Sequence, residues 1–281
     1  MQKRVAAIHD ISCFGKCSLT VALPILSAAG IETSVIPTAV LSTHTGGFSG
    51  FTYRDLTADI LPIVSHWQTL DIQFDSIYTG FLGSFEQIDI VCEAFRRLKN
   101  ENTIILVDPV MADNGQLYKV FTQDFPAGMR KVCALADVIV PNMTEAALLL
   151  GRQYEEGPYT PDHIKAILER LSELGPKQVV LTGVYFDMEN LGAAAYDRDT
   201  DTVSYAFSER IEGSYHGTGD VFASALLGAL LNGQSIQQAA QLAVDFTVGS
   251  IARTRASGTD VRFGVNFEEG LPMLLQRLQL V

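Results

Sequence analysis

No stretch of this sequence stays apolar for the roughly 18–20 residues that a bilayer crossing needs. The most apolar run, Val221 to Leu231, is far shorter and reads as a buried helix. The N-terminus is charged (Met1-Gln2-Lys3-Arg4) and then apolar (Val5-Ala6-Ala7-Ile8), in the manner of a signal peptide. Its apolar part stops at His9-Asp10, too short for a secretory core, and reads as a first buried strand. Cysteine is scarce: Cys13, Cys17, Cys92 and Cys133. Nothing suggests secretion, so reduced thiols in a cytosol are the expectation. Cys13-x-x-x-Cys17 lacks a second pair, and His9, His44, His66, His163 and His216 show no metal-ligand spacing. Positive charge is also short, with 20 Lys and Arg against 32 Asp and Glu and a formal net charge of −12. An acidic surface repels phosphate backbones, which speaks against nucleic acid. It leaves room for a small polyphosphate held by backbone N–H groups and Mg²⁺ in a cleft.

Two nucleotide signatures are incomplete. Phe14-Gly15-Lys16-Cys17 resembles the end of a P-loop, but Asp10 stands where its first glycine belongs and Cys17 replaces the Mg²⁺-binding Ser or Thr. Gly217-Thr218-Gly219 begins like a dinucleotide fingerprint, yet Phe222 occupies the third glycine position. A P-loop NTPase and a Rossmann dehydrogenase are both unsupported.

What is present is an ordinary globular composition, 47% hydrophobic and 19% charged over 281 residues, read as one domain spanning 1–281. Strands are predicted near Val5–Ile11, Ser34–Leu41, Ser76–Leu82, Ile104–Val110, Val138–Pro141 and Gln178–Tyr185, with a meander at Ala193–Asp197 and Thr202–Phe207. Several are continuous apolar runs, which suits a parallel sheet covered on both faces. Helical spacing runs over Cys17–Ala29, Glu86–Glu101, Asp162–Leu174, Gly219–Asn232, Ile236–Arg255 and Phe267–Leu280. The alternation predicts a doubly wound α/β fold, a mostly parallel central sheet with helices on both faces.

Several segments carry chemistry. Gly217-Thr218-Gly219-Asp220 precedes a long apolar helix, so its N–H groups and the helix dipole favour an anion there. Asp220 reads equally as a first-turn acid or as a base for an attacking hydroxyl. Ile104–Val107 is an apolar strand ending in Asp108, which puts a carboxylate at the sheet edge where open α/β folds bind ligands. Asp113 follows before the Asn114-Gly115 turn; it reads either as a turn former or, with Asp108, as a Mg²⁺ ligand. Asn142 and Glu145 fit a capping box, sufficient in itself, at a strand end where Glu145 also faces metal and phosphates. Val179-Val180-Leu181-Thr182-Gly183 is another strand ending in a hydroxyl. Ser42-Thr43-His44-Thr45-Gly46-Gly47 is a polar loop, whose lone His is more often structural than catalytic.

In this order the Asp108-Pro109-Val110, Pro141-Asn142-x-x-Glu145 and Gly217-Thr218-Gly219-Asp220 elements resemble the ribokinase-like superfamily. Within it, His44-Thr45-Gly46, Thr79-Gly80-Phe81-Leu82-Gly83-Ser84 and Asp108–Asp113 resemble the pyridoxal kinases over nearly the whole chain. The resemblance implies an ATP-dependent kinase acting on the 5′-hydroxymethyl group of a vitamin B6 vitamer. It implies Asp220 as base, Gly217, Thr218 and Gly219 as the anion hole, and Asp108, Asp113 and Glu145 as organisers of Mg-ATP. Asp108 and Glu145 would be the metal side, with Asn142 and Thr182 near the phosphates. Thr45, Phe81 and His216 would line the vitamer pocket, together with Asp10, Ser12 and His44. It also implies a cytosolic homodimer that needs Mg²⁺ and is often stimulated by K⁺.

The chain departs from the family at two places. Asp10 in His9-Asp10-Ile11 stands where many members have the Ser of Gln-Ser-His, and Phe81 stands where many have Tyr. Ser12, two residues on, substitutes for that serine only if the turn differs. Asp10 would favour a cationic group on the substrate; its other reading is a helix cap or turn residue. The nearest rival is a hydroxymethylpyrimidine kinase of the same superfamily, where Cys often takes the place of Asp220. A sugar kinase and a non-catalytic vitamer carrier or sensor are the remaining alternatives.

Overall fold

The computed structural model describes residues 2–281. In chain order the elements are β1 (Arg4–Ser12), α1 (Leu19–Ala28), β2 (Glu32–Leu41), β3 (Tyr53–Asp55), α2 (Thr57–Thr69), β4 (Ser76–Thr79) and α3 (Phe85–Leu98). Then come β5 (Ile104–Val107), the short pair β6 (Ala112–Asp113) and β7 (Gln116–Leu117), α4 (Phe125–Cys133), β8 (Val138–Ile139), α5 (Met143–Leu149) and α6 (Pro161–Ser172). The chain closes with β9 (Gln178–Val184), β10 (Asn190–Asp197), β11 (Thr202–Glu209), α7 (Thr218–Leu231), α8 (Ile236–Ser257) and α9 (Leu271–Arg277).

Nine strands form one sheet in the order β11-β10-β9-β8-β5-β4-β1-β2-β3. From β9 to β2 every pairing is parallel, and the antiparallel pairings are β2–β3, β9–β10 and β10–β11 at the two edges, which leaves β3 and β10 as the strands that run against the rest. Strands such as Ser76–Thr79 are buried throughout, because helices cover both faces. One face packs against α2 to α6 through residues such as Ile8, Ile77, Val91 and Phe95. The other packs against α1, α7, α8 and α9 through Val5, Tyr78, Leu226 and Phe246. Helix α7 buries ten of its fourteen residues, which is why its sequence is apolar all round.

Strand order reverses direction between β1 and β4, so the crevice outside their carboxyl ends is where such a sheet binds ligands. Several sequence boundaries need correction. The strand read to Leu82 stops at Thr79, that read to Val110 stops at Val107, and that read to Pro141 stops at Ile139. The chain leaves the sheet there for the crevice. The helix expected over Phe267–Leu280 is reduced to a short 3₁₀ turn and α9, because Pro272 fits only a first helical turn.

Candidate active site

Four segments meet at the carboxyl edge. The first is the N-terminus of α7, where Gly217 adopts φ 76° and caps the helix. A Cβ there would lie 2.0 Å from the Lys16 carbonyl oxygen, so no other residue fits. The first helical bond runs from Val221 N–H to Gly217 O, leaving the N–H groups of residues 218–220 free for an anion. Thr218 turns its hydroxyl back to the Tyr215 carbonyl at 3.2 Å. Asp220 sits half-buried in this first turn. Burial pushes its carboxyl up to about 7, with further upward pressure from Asp10.

The second segment follows β5. Asp108 is 5% exposed, and its carboxylate accepts no hydrogen bond among the described residues. Burial, then the charges of Glu145 and Asp220, drive it strongly toward the protonated form. A Cβ on Gly219 would lie 3.7 Å from Asp108 Oδ2, which places this carboxylate beside the α7 loop.

The third segment is the start of α5. Asn142 and Glu145 form the capping box: the Asn142 side chain accepts the Glu145 N–H, and Glu145 accepts the Asn142 N–H at 2.9 Å. The other Glu145 oxygen takes the Met111 N–H at 3.0 Å. Asn142 also donates to the Ala112 carbonyl at 2.8 Å, and Thr144 accepts the Gly115 N–H at 3.0 Å. The loop carrying Asp108 is thus tied down from α5. Thr182 lies beside Asn142 through an isolated parallel bridge.

The fourth segment comes from β1 and the loops beside it. Asp10 lies inside β1 at an irregularity in its pairing with β2, so it is neither a helix cap nor a turn residue. Irregular pairing of this kind re-aims side chains. Its buried carboxylate accepts Ser12 Oγ at 3.2 Å and Ser18 Oγ at 2.6 Å. His44 is buried; it accepts the Gly46 N–H at Nδ1 (3.1 Å) and donates from Nε2 to the Arg262 carbonyl at 2.6 Å. Its ring lies 5.2 Å from that of His216. Phe48 stacks on Phe263 at 6.4 Å, and Phe14 meets Phe263 edge-on at 5.1 Å, so the rim here is aromatic.

Not every expected residue converges. Asp113 is exposed in the β6–β7 turn, where its carboxylate binds Asn114 N–H and Nδ2 at 2.8 and 3.0 Å. Asn114 and Gly115 take φ 50° and 74°, the turn that needs such a partner. Thr45 is exposed, and Phe81 packs toward Phe121 at 5.5 Å.

Other residues escaped the sequence reading. Tyr118 is exposed at the rim, and its hydroxyl is pushed up by partial desolvation and then by the charges of Glu145, Asp113, Asp108 and Asp220. Only its place after the Asn114-Gly115 turn signals it. His9, read simply as a strand end, is fully buried with both ring nitrogens unpartnered, and burial lowers it to about 3. It stays neutral against the edge of Tyr78, 4.4 Å away. Gly80 permits that, since a Cβ there would lie 2.9 Å from the His9 ring.

Buried carboxylates without a countercharge are unfavourable by themselves. Among the described residues no three His, Cys, Asp or Glu side chains converge as a closed metal cage. Asp108 still fits Mg²⁺, which takes one or two carboxylates and fills its remaining positions with water and phosphate. Both oxygens of Glu145 are engaged by backbone N–H groups, so its contribution is to fix the loop and add negative potential.

Comparison with known proteins matches this geometry. The family model described as phosphomethylpyrimidine kinase matches residues 23–264. A Bacteroides thetaiotaomicron protein described as a phosphomethylpyrimidine kinase, crystallised with pyridoxal, is 38% identical with a TM-score of 0.93. The match covers 98% of this chain and 96% of that one. The pyridoxal kinase of Lactobacillus plantarum is 33% identical with a TM-score of 0.89, covering 98% and 97%. A pyridoxal kinase of Haemophilus influenzae is 27% identical over 271 residues, 90% of this chain and 89% of its own. The chain belongs to the phosphomethylpyrimidine kinase family and, within that family's ribokinase-like fold, to the pyridoxal kinases.

Proposed function

We propose that this protein is an ATP-dependent kinase that phosphorylates the 5′-hydroxymethyl group of a vitamin B6 vitamer. The observation that carries the reading is Asp220, held half-buried among the free N–H groups at the start of α7 and beside Asp108. A carboxylate raised to about 7 accepts a proton from an alcohol better than an ordinary one. The free N–H groups of residues 218–220 stabilise charge on the transferring phosphoryl group. Relatives named pyridoxal kinase, and the solved relative holding pyridoxal, support the acceptor. A Staphylococcus aureus pyridoxal kinase of the same fold, at 23% identity, is solved with ADP.

Asp220 takes the acceptor's proton late in transfer, as charge develops, while the reactants are held in line. Asp108 is the residue that would hold Mg²⁺, with Glu145 adding negative potential. The ion would neutralise the nucleotide phosphates and the buried acids together. Asn142 and Thr182 stand near the phosphate side, with Asp113 at its outer edge. His44 and His216 border the vitamer side. Asp10, polarised by Ser12 and Ser18, favours a protonated ring nitrogen or the amine of pyridoxamine. Stimulation by K⁺, a homodimer and a cytosolic location follow from family resemblance. No helix among the described residues is long and apolar enough to cross a membrane.

A coupled ATP-consumption assay with pyridoxal, pyridoxine, pyridoxamine and hydroxymethylpyrimidine, run beside Asp220→Ala, tests the reading. Turnover of a B6 vitamer that falls by about 100-fold or more in the mutant is expected. The family model's own description favours one second reading, hydroxymethylpyrimidine phosphorylation. Turnover of that substrate alone would establish it. No turnover with any of the four would point to a vitamer-binding protein.

A further inference from the structure

Three phenyl rings meet in the open at the mouth of the cleft. Phe14 is 51% exposed, Phe263 is 37% exposed, and Phe48 between them is half-buried. Phe14 lies 5.1 Å from Phe263 and 6.4 Å from Phe48, nearly perpendicular to both. Phe48 and Phe263 are parallel within 2°. Exposed apolar side chains scattered singly mean little, but a contiguous group marks a surface that binds something apolar.

The fold holds this group together from three distant segments. Phe14 N–H donates to the Ser42 carbonyl at 3.1 Å, and Lys16 N–H to the Phe263 carbonyl at 2.9 Å. Gly15, at φ 88°, lets the loops close up, because a Cβ there would lie 2.4 Å from the His44 ring. Inward, the aromatic surface continues: Phe48 meets His44 at 5.0 Å, and His44 meets His216 at 5.2 Å. His216 directly precedes Gly217, whose loop carries the free N–H groups. On the other side Ser12, bonded to Asp10, stands two residues before Phe14. A track of rings thus leads from solvent to the phosphoryl-transfer loop.

We propose that Phe14, Phe48 and Phe263 form an aromatic lip that takes the flat heteroaromatic ring of the acceptor, with its hydroxymethyl group directed inward past His216. The cleft thereby selects aromatic alcohols over aliphatic ones. The inference rests on the reading of this cleft as a kinase for a vitamin B6 vitamer, and none of the three rings is among the residues that family resemblance places there. Ring faces and edges carry opposite partial charge, so a pyridine ring gains from offset or edge-on contact at about 4.5–7 Å between centroids. A protonated pyridine gains more through its charge over a phenyl face. An aliphatic alcohol offers neither. Continuity with His44 and His216 favours a small ring entering here over a second copy of the chain, which would cover the approach to Gly217.

The test uses Phe14→Ala, Phe14→Trp and Phe263→Leu, with steady-state kinetics for pyridoxine and ATP, calorimetric binding of pyridoxine, thermal melting and light scattering. Pyridoxine is chosen because, unlike an aldehyde, it does not condense with lysines. Phe14→Ala should raise KM for pyridoxine about fivefold and weaken its binding equally, the worth of one ring contact, while KM for ATP holds. Phe14→Trp keeps a ring and should bind pyridoxine as the parent does. Phe263→Leu keeps apolar bulk without a ring and should lose about as much as Phe14→Ala. Unchanged pyridoxine binding in both ring-deleted variants overturns the inference. So does a loss shared equally by pyridoxine and ATP alongside a lowered melting temperature, which would make the rings structural. A drop in molecular mass in Phe14→Ala with pyridoxine binding intact also overturns it, and assigns the lip to a subunit interface. Calorimetry needs no turnover: a parent that binds pyridoxine without phosphorylating it refutes the proposed activity and leaves the lip to be decided by the variants. A parent that binds none refutes both.

Discussion

The Glu145 carboxylate accepts the backbone N–H of Met111 at 3.0 Å, across 34 positions of chain. With its second oxygen on Asn142 N–H, it ties the loop after β5 to the start of α5. Glu145→Gln presents an NH₂ group to one of these donors. It should cost about 1–3 kcal/mol in denaturant unfolding, the penalty of a buried donor left unpaired. Turnover should fall with it, because Asp108 rides on that loop. Unchanged stability would show that the capping box is dispensable.

Gly217→Ala should be among the most damaging single changes. The added Cβ would meet the Lys16 carbonyl at 2.0 Å on a residue with φ 76°. Backbone strain of this type costs about 1–3 kcal/mol. Relief requires the α7 loop to move, so kcat should drop further than stability alone explains. Parallel melting and steady-state assays separate the two losses.

The pH behaviour has a defined sign. Asp10, Asp108 and Glu145 are raised chiefly by burial, and Asp220 is raised to about 7. In the folded chain these groups keep protons that the unfolded chain releases near pH ~4. Their contribution to stability is therefore fully present below that pH and is lost as pH rises, for Asp220 through about 7. The melting temperature of the free protein should fall between about pH 5 and 8 from this cause. Mg²⁺ with ATP should restore most of it. The kcat/KM profile should rise through pH 7 as Asp220 loses its proton, and lose that limb in Asp220→Ala. A melting temperature that climbs with pH over this range would contradict the assignment.

Asp10 makes the vitamer preference testable. If its carboxylate favours a cationic substrate group, Asp10→Ser should lower kcat/KM for pyridoxamine relative to pyridoxal by about tenfold, the value of one partly desolvated charge interaction. An unchanged ratio between the two substrates would remove Asp10 from substrate choice.

Legibility in the sequence followed physical causes. The parallel strands announce themselves as apolar runs because both sheet faces are covered. Asp108 and Asn142 stand out because each follows such a run. Asp220 stands out because two glycines precede a wholly apolar helix. Helix α2 leaves no such signal: Pro62 interrupts it, and of its thirteen residues only Thr57, Ile60 and Val64 are buried, too thin a stripe to show as periodicity. Strands β3, β6 and β7 span two or three residues, below any pattern. Ser18 reaches Asp10 through loop geometry, which spacing does not encode. Asp113 reads two ways in the sequence because turn formers and metal ligands are drawn from the same residue types.

The rim of the cleft is fastened by bonds between the two ends of the chain. Lys16 N–H donates to the Phe263 carbonyl at 2.9 Å, His44 binds the Arg262 carbonyl, and Lys16 Nζ pairs with Glu268 at 2.8 Å. A growing polypeptide therefore cannot finish this pocket until nearly its last residues have been made. Up to that moment the sheet has its strands but the acids at its edge lie open to water. A nascent chain stalled short of residue 260 is thus expected to be a sheet without a working cleft, and loss of the C-terminal tail should end vitamer binding well before it ends folding.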